Sequence, residues 1–505
     1  MAQLSDVEIA RRCCMLPIAD IAHSADIDKK HIDMYGRYKA KVDLAFLDEK
    51  KSDGRLILVT AITPTSAGEG KTTTAIGLAD GLRRLGRKSA VAMREPSSEA
   101  ASSIGGGYAQ VVPMEDAGHH FTGDIHAIAA ADSLLAAILD NHIQQGNALN
   151  IDTGRITWQR CGDAAASEIM AILCLASSVS DLKERLSRIV VGYSRSSLPV
   201  TAGDLKAQGA MTELLLESIK PNLVQTLEGT PVFIHGAPFS GIAQGGNSVL
   251  ATKMALRAGE YCVTEADFGT DTGAEKFLDI KCRAAGLTPG AAVIVASVRA
   301  LKMHGGLPEA ELDREDLEAL ERGIPNLLHH VSNMTNVYGL PCVVAVNRFP
   351  ADTDREIEYL EEKCAELGIK VCLSKVWAEG GSGGMELARE VIRLCGEQSC
   401  DFTYCYGTDM TIEEKLSAVT AKIYGGSGIS VLPAAQEQIK LLTELGFGRL
   451  PVCIAKTRYS FSDDPAKYGS PSGFRITVRS VKVSAGAGFI VALTGETLTA
   501  DSLPA

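Results

Sequence analysis

The nine residues Thr65-Ser66-Ala67-Gly68-Glu69-Gly70-Lys71-Thr72-Thr73 place two glycines, a lysine and several hydroxyls in an order suited to gripping a polyphosphate. Gly68 and Gly70 allow backbone N–H groups to curl round phosphate oxygens, and a helix starting here adds partial positive charge. Lys71 then reaches towards β and γ phosphates, and the Thr72 hydroxyl can ligate magnesium. A phosphate loop of the form Gly-x-x-x-x-Gly-Lys carries glycine where this chain has Thr65, the single departure from the pattern. Arg94 is a second cation at the end of an apolar run, and its guanidinium fork suits a carboxylate or an acyl phosphate. Glu265, just after the apolar run 261–263, is a candidate to support magnesium as a Walker B acid would.

Such residues need a scaffold that gathers strand ends. Residues 56–62 read as a buried strand and residues 90–93 as the next one. Between them, 71–85 read as a helix, with Ile76, Leu78, Ala79 and Leu82 at helical spacing and Gly86 as its stop. Apolar runs recur at 231–234, 261–263, 292–296, 342–346 and 371–374, separated by helical patterns such as 248–257 and 354–367. Alternation of this kind marks βαβ units. The expected fold class is α/β, a P-loop NTPase-like, mostly parallel sheet flanked by helices with smaller α/β and α+β attachments. The expected division is 1–340 for the phosphate-binding domain, 341–450 for an α/β domain, and 451–505 for a small α+β unit. Ser66 stands where ParA-like ATPases carry a second lysine, which counts against that class of binding module.

Composition narrows the function. A chain of 505 residues exceeds what one hydrophobic core organises, and 46% hydrophobic with 22% charged residues is ordinary for a soluble globular protein. A net charge of -12 disfavours a surface built for nucleic acid, so any anionic substrate must be held by local cations. The first twelve residues lack the basic-then-apolar order of a secretory signal, and no apolar run approaches the ~20 residues of a membrane span. A cytoplasmic protein with no membrane partner is expected. The thirteen cysteines form no Cys-x-x-Cys pair, which implies reduced thiols rather than zinc or disulfides.

Further along, the chain carries Arg94-Glu95-Pro96, Gly105-Gly106-Gly107-Tyr108-Ala109-Gln110-Val111 and His120-Phe121-Thr122-Gly123-Asp124. His235-Gly236, the run from Gly273 to Arg283, Asn347-Arg348-Phe349-Pro350, Val376-Trp377-Ala378 and Lys456-Thr457 with Tyr459 follow in order. In these stretches, with Thr63-Pro64 through Thr73, the chain resembles the formate–tetrahydrofolate ligase (formyltetrahydrofolate synthetase) family over nearly its entire length. The resemblance implies ATP-dependent ligation of formate to tetrahydrofolate, giving 10-formyltetrahydrofolate, ADP and phosphate by way of formyl phosphate. That route is chemically sensible, because formate would have to expel hydroxide whereas formyl phosphate expels phosphate.

On this resemblance Lys71 stabilises the transferring phosphoryl group, Arg94 holds formate or its acyl phosphate, and His120 orients the intermediate or takes a proton from the attacking amine. Asp124 and His126 are weaker candidates, Asp124 being equally suited to capping a helix. Asn347 stands at a strand end where many P-loop proteins read the nucleotide base. Phe349, Pro350 and Trp377 match positions that hold the pterin and aminobenzoate rings, and the segment 341–450 becomes the folate-binding domain. The implied cofactors are ATP with Mg2+ and tetrahydrofolate as co-substrate; a monovalent cation is also allowed, and a homotetramer is the implied assembly.

Several positions depart from the family pattern. Between Pro96 and Gly105 the family has a longer glycine-rich segment, where this chain has only eight residues. Gln244 and Gly246 replace a His and a Cys, Asp267 replaces a Gly, and the end at Ala505 falls short of the usual tail. The alternatives are a paralogue with altered acid or pterin specificity, a non-catalytic regulatory ATP-binding protein, and another carboxylate-activating ligase similar to dethiobiotin synthetase.

Overall fold

The computed structural model describes residues 4–49, 52–96, 104–114, 121–158, 164–239, 241–397 and 400–495. In chain order the strands β1 (Ile32–Met34), β2 (Ala40–Val42), β3 (Arg55–Ala61), β4 (Ser89–Met93), β5 (Gly105–Gly106) and β6 (Ala109–Val112) come first. A separate three-stranded antiparallel sheet follows, made of β7 (Ile151–Ile156), β8 (Val190–Ser194) and β9 (Pro199–Thr201). The main sheet then resumes with β10 (Asn222–Thr226), β11 (Pro231–Ile234), β12 (Tyr261–Gly269), β13 (Pro289–Ala296), β14 (Cys342–Asn347) and β15 (Val371–Ser374).

Its strand order is β1-β2-β10-β11-β4-β12-β3-β13-β14-β15, with the β5–β6 hairpin attached to β10. From β11 to β15 every pairing is parallel, and the pairings from β1 to β11 are antiparallel. The α/β expectation is met, and β3, the central strand of the parallel part from β11 to β15, leads into the glycine loop. The sheet does not break at residue 341, because β14 and β15 continue the register of β13. The remaining strands β16 (Ile429–Val431), β17 (Val452–Ala455), β18 (Ile476–Ser484) and β19 (Phe489–Thr494) form a mixed four-stranded sheet.

Alternation along β3 explains why both faces are covered. Ile57, Val59 and Ala61 pack in one cluster with Ala75, Ile76, Ala79 and Leu82 of the helix Lys71–Arg84 and with Leu387 and Val391 of the helix Met385–Glu397. Leu56 and Leu58 point the other way, into a cluster with Met254, Leu301 and Leu320 from three further helices. Successive residues of a strand face opposite sides, so a strand buried on both faces must be apolar throughout. Every described cysteine is a free thiol, and no described helix is long and apolar enough to cross a membrane.

The helix Lys71–Arg84 lies very close to the segment after β15. A Cβ on Gly77 would fall 2.4 Å from Val376 Cβ, which no pair of carbons tolerates. Alanine adds about 1 kcal/mol of helix propensity, but overpacking a filled interface costs about 1–3 kcal/mol. The Gly77→Ala variant is therefore expected to be less stable than wild type, read as a lower urea midpoint at unchanged slope. A raised midpoint would show that the contact relaxes freely.

Candidate functional site

Parallel strands deliver their carboxyl ends to one edge of the sheet, and the first residues beyond those ends make the site. β3 ends at Ala61 and leads into the loop 62–70; β4 leads into Arg94; the end of β12 carries Glu265 to Phe268; β13 is followed by Ser297, and β14 ends at Asn347.

The loop is tied down at its base. Thr63 is fully buried. Its N–H donates to His330 Nε2 at 2.8 Å, its carbonyl accepts from His304 Nε2 at 3.0 Å, and its hydroxyl accepts from Asn326 Nδ2 at 3.0 Å. Above it the Glu69 carboxylate turns back to accept from the Thr65 N–H at 2.8 Å and from the Ser297 hydroxyl. Burial pushes the Glu69 carboxyl up, and these bonds from Ser297 and Thr65 oppose the rise. Ser66 and Ala67 are exposed at the tip, where the Ser66 hydroxyl donates to Glu309.

Gly70 begins the helix Lys71–Arg84 at φ 77°, with no side-chain hydrogen bond capping the first turn. The first N–H groups of that helix therefore point out uncapped, as an anion site requires. A Cβ at Gly70 would also collide with Asn347 Nδ2 at 2.3 Å. Asn347 is buried against the loop, donating through Nδ2 to the Glu69 carbonyl at 3.1 Å. Its amide braces the loop backbone.

Lys71 and Thr72 face the end of β12. Lys71 Nζ donates to the Ala266 carbonyl at 3.0 Å and lies 5.7 Å from the Phe268 ring centre. Burial pushes the ammonium below its ordinary value, while the Glu265 and Asp267 carboxylates pull it back up. The Thr72 hydroxyl donates to Glu265 Oε2 at 2.7 Å. A hydroxyl beside a carboxylate is an all-oxygen donor pair of the kind magnesium takes, and among the described residues no group of three or more His, Cys, Asp or Glu side chains could hold a metal. The pair thus fits an ion that draws its other ligands from phosphate and water. Thr73 is buried in the first turn.

Arg94 joins this group through an ion pair with Asp267, Nη1 to Oδ1 at 3.0 Å. The remaining predicted residues are spread more widely. Phe349 is half-buried with the Arg299 guanidinium 5.9 Å from its ring centre, and Pro350 beside it is exposed. Trp377 is half-buried against the β5–β6 hairpin, its carbonyl accepting from the Tyr108 N–H at 2.8 Å. His120 and the short connection 97–103 lie outside the described residues. Asp124 opens the helix Asp124–Gln144, but its carboxylate is engaged by the buried Lys41 ammonium at 2.9 Å and by Asn222. It neutralises a buried charge and caps nothing.

His304, His330, Asn326 and Asp267 were not foreseen as site residues. The first three come from helices more than 240 residues beyond Thr63, so no local pattern announces them. Asp267 does leave a signal: it stands two residues from Glu265 on the same strand, the spacing that returns to the same face.

The two histidines make the loop base sensitive to acid. His330 Nε2 accepts a hydrogen bond, so it is unprotonated, and Nδ1 faces the Thr270 hydroxyl at 2.7 Å. Burial drives His330 down to about 3 and His304 to about 4. A folded value below the ordinary value of about 6.5 means that the unfolded chain takes the proton first. The stability these groups supply is whole above pH ~6.5 and is lost as pH falls towards their folded values. For His330 the loss at pH 5 is about 2 kcal/mol relative to pH 7.5. The stability gap between wild type and His330→Gln, measured by urea unfolding, is expected to narrow by that amount between pH 7.5 and 5. A gap independent of pH would contradict the neutral assignment.

The loop, the uncapped helix start and the charged side chains of Lys71, Arg94, Glu265 and Asp267 around it are thus assembled from residues 63–94 and 265–347. The family model for formate–tetrahydrofolate ligase matches residues 4–165 and 163–505. By that match, which runs through both halves of the site, the chain belongs to the formate–tetrahydrofolate ligase family.

Proposed function

We propose that the protein ligates formate to tetrahydrofolate at the expense of ATP, through formyl phosphate, at the carboxyl ends of β3, β4 and β12. The observation that carries this reading is the convergence of an uncapped helix N-terminus, Lys71, the Thr72–Glu265 pair and Arg94 at one edge of the sheet.

The N–H groups at the start of the helix Lys71–Arg84 receive the β and γ phosphate oxygens, with Gly70 letting the backbone approach. Lys71 leaves the Ala266 carbonyl for the transferring phosphoryl group, whose charge it neutralises as it spreads over the equatorial oxygens. Magnesium, held by Thr72 with Glu265 behind it, would add charge neutralisation on the phosphates. Arg94 binds the formate carboxylate and aims one oxygen at the phosphorus. Placing two anions side by side is otherwise opposed by their repulsion, so the flanking cations supply both orientation and attraction. Once formyl phosphate has formed, its carbonyl carbon is open to N10 of tetrahydrofolate; the carbon–oxygen bond to phosphate breaks, and the departing phosphate takes the N10 proton. Phe349, Pro350 and Trp377 offer flat apolar surface for the pterin and aminobenzoate rings.

Purified protein is expected to release ADP only when formate and tetrahydrofolate are both present, and oxygen label supplied in formate is expected in the phosphate. Lys71→Ala should reduce this turnover by at least about 100-fold, with its unfolding midpoint little changed. Nucleotide binding without formate-linked turnover would favour a regulatory protein. Turnover with another acid and no need for folate would favour a different carboxylate-activating ligase. Normal activity in Lys71→Ala would remove the loop from the mechanism.

A further inference from the structure

We propose that Asp267 is a built-in counter-ion at the acid subsite: its carboxylate occupies Arg94, a substrate carboxylate has to displace it, and residue 267 thereby sets the affinity for the acid. This deepens the reading above and rests on Arg94 being the acid-binding cation.

Three observations carry the inference. Arg94 Nη1 and Asp267 Oδ1 are 3.0 Å apart, so a carboxylate of this chain already makes the contact that an incoming carboxylate would make. The pair is asymmetric: the Asp267 side chain is 5% exposed and that of Arg94 is 38% exposed. The acid lies on the protein side and the guanidinium on the open side, so Arg94 is the partner able to turn towards a ligand. Finally, Asp267 Oδ2 is buried with no hydrogen-bond partner among the described residues. A half-satisfied buried carboxylate is poorly compensated, which is a costly state to keep for purely structural reasons.

The backbone keeps the carboxylate from retreating. Asp267 N–H donates to the Gly245 carbonyl at 2.9 Å, and the Asp267 backbone is so close to Gly273 that a Cβ there would overlap it at 1.6 Å. Phe268, next in line, holds φ at 51°, a left-handed conformation that side-chain-bearing residues seldom adopt. The exchange on substrate binding is thus a movement of Arg94, not of Asp267. Lys71 feels the charges of both Asp267 and Arg94, which places the pair in the electrostatic neighbourhood of the phosphoryl-binding end. With Arg94 and Asp267 cancelling, the net positive charge offered to a free acid is reduced, and binding of the acid has to exchange one ion pair for another.

The variant Asp267→Asn keeps the shape and removes the competing charge. In the full chain, at saturating ATP and tetrahydrofolate, it is expected to lower the KM for formate by about tenfold, with a smaller change in kcat. A formate KM that is unchanged or raised in an active variant overturns the proposal, because an aspartate that merely orients Arg94 would on removal weaken the acid. Direct titration of both proteins with carbon-13 formate, in the presence of a non-hydrolysable ATP analogue, separates this from the ligase reading. Tighter formate binding in Asp267→Asn without turnover in either protein supports the counter-ion and sinks the ligase. Turnover with equal or weaker formate binding does the reverse, and no formate binding in either protein overturns the counter-ion. Asp267→Ser serves in the same two measurements if the asparagine variant does not fold.

Discussion

The site depends on the way Thr63 is enclosed at the end of the central strand. Its N–H, carbonyl and hydroxyl are each paired, and the partners come from two later helices. A buried backbone group left unpaired costs about 1–3 kcal/mol, so these bonds fix where the strand may stop. With Thr63 held, the seven residues that follow have little choice but to arch over and re-enter the helix at Gly70. That arch exposes the first N–H groups of the helix in place of capping them, and the exposed groups are the chemical opportunity.

The second feature is the balance of charge around that opening. Arg94, Glu265, Asp267 and Glu69 all stand within electrostatic reach of Lys71, and Arg94 pairs with Asp267. Each cation has a partner inside the chain: the Ala266 carbonyl for Lys71 and the Asp267 carboxylate for Arg94. The Glu69 carboxylate, folded back on Thr65 and Ser297, belongs to the frame of the loop.

Much of this frame is legible in the residue order. The strand 56–62, the helix ending before Gly86, and the runs at 231–234 and 371–374 are found within a residue or two of where their apolar spacing puts them. Glu265, picked out by its place after an apolar run, does meet the hydroxyl of Thr72. Patterns of this kind report which face of an element is apolar and where it stops. They carry no register between distant strands, so the antiparallel edge β1-β2-β10 and the continuity of β14 and β15 with the main sheet are not readable from them. Pairings across the chain are equally silent. Nothing near Asp124 announces Lys41, and nothing near Asn347 announces the Glu69 carbonyl. The π-helical turns Thr270–Ala274 and Phe277–Cys282 are hidden for a different reason. Their winding is stabilised by buried pairs such as Asp271 with Lys456, 185 residues away, so no local period encodes it.

The most direct test of the account is a crystal structure of the protein with a non-hydrolysable ATP analogue and magnesium. The phosphate chain is expected at the N–H groups that open the helix Lys71–Arg84, with Lys71 Nζ drawn from the Ala266 carbonyl onto phosphate oxygen and Thr72 on the metal. Nucleotide bound elsewhere, with Lys71 still on Ala266 and the loop unchanged, would contradict it.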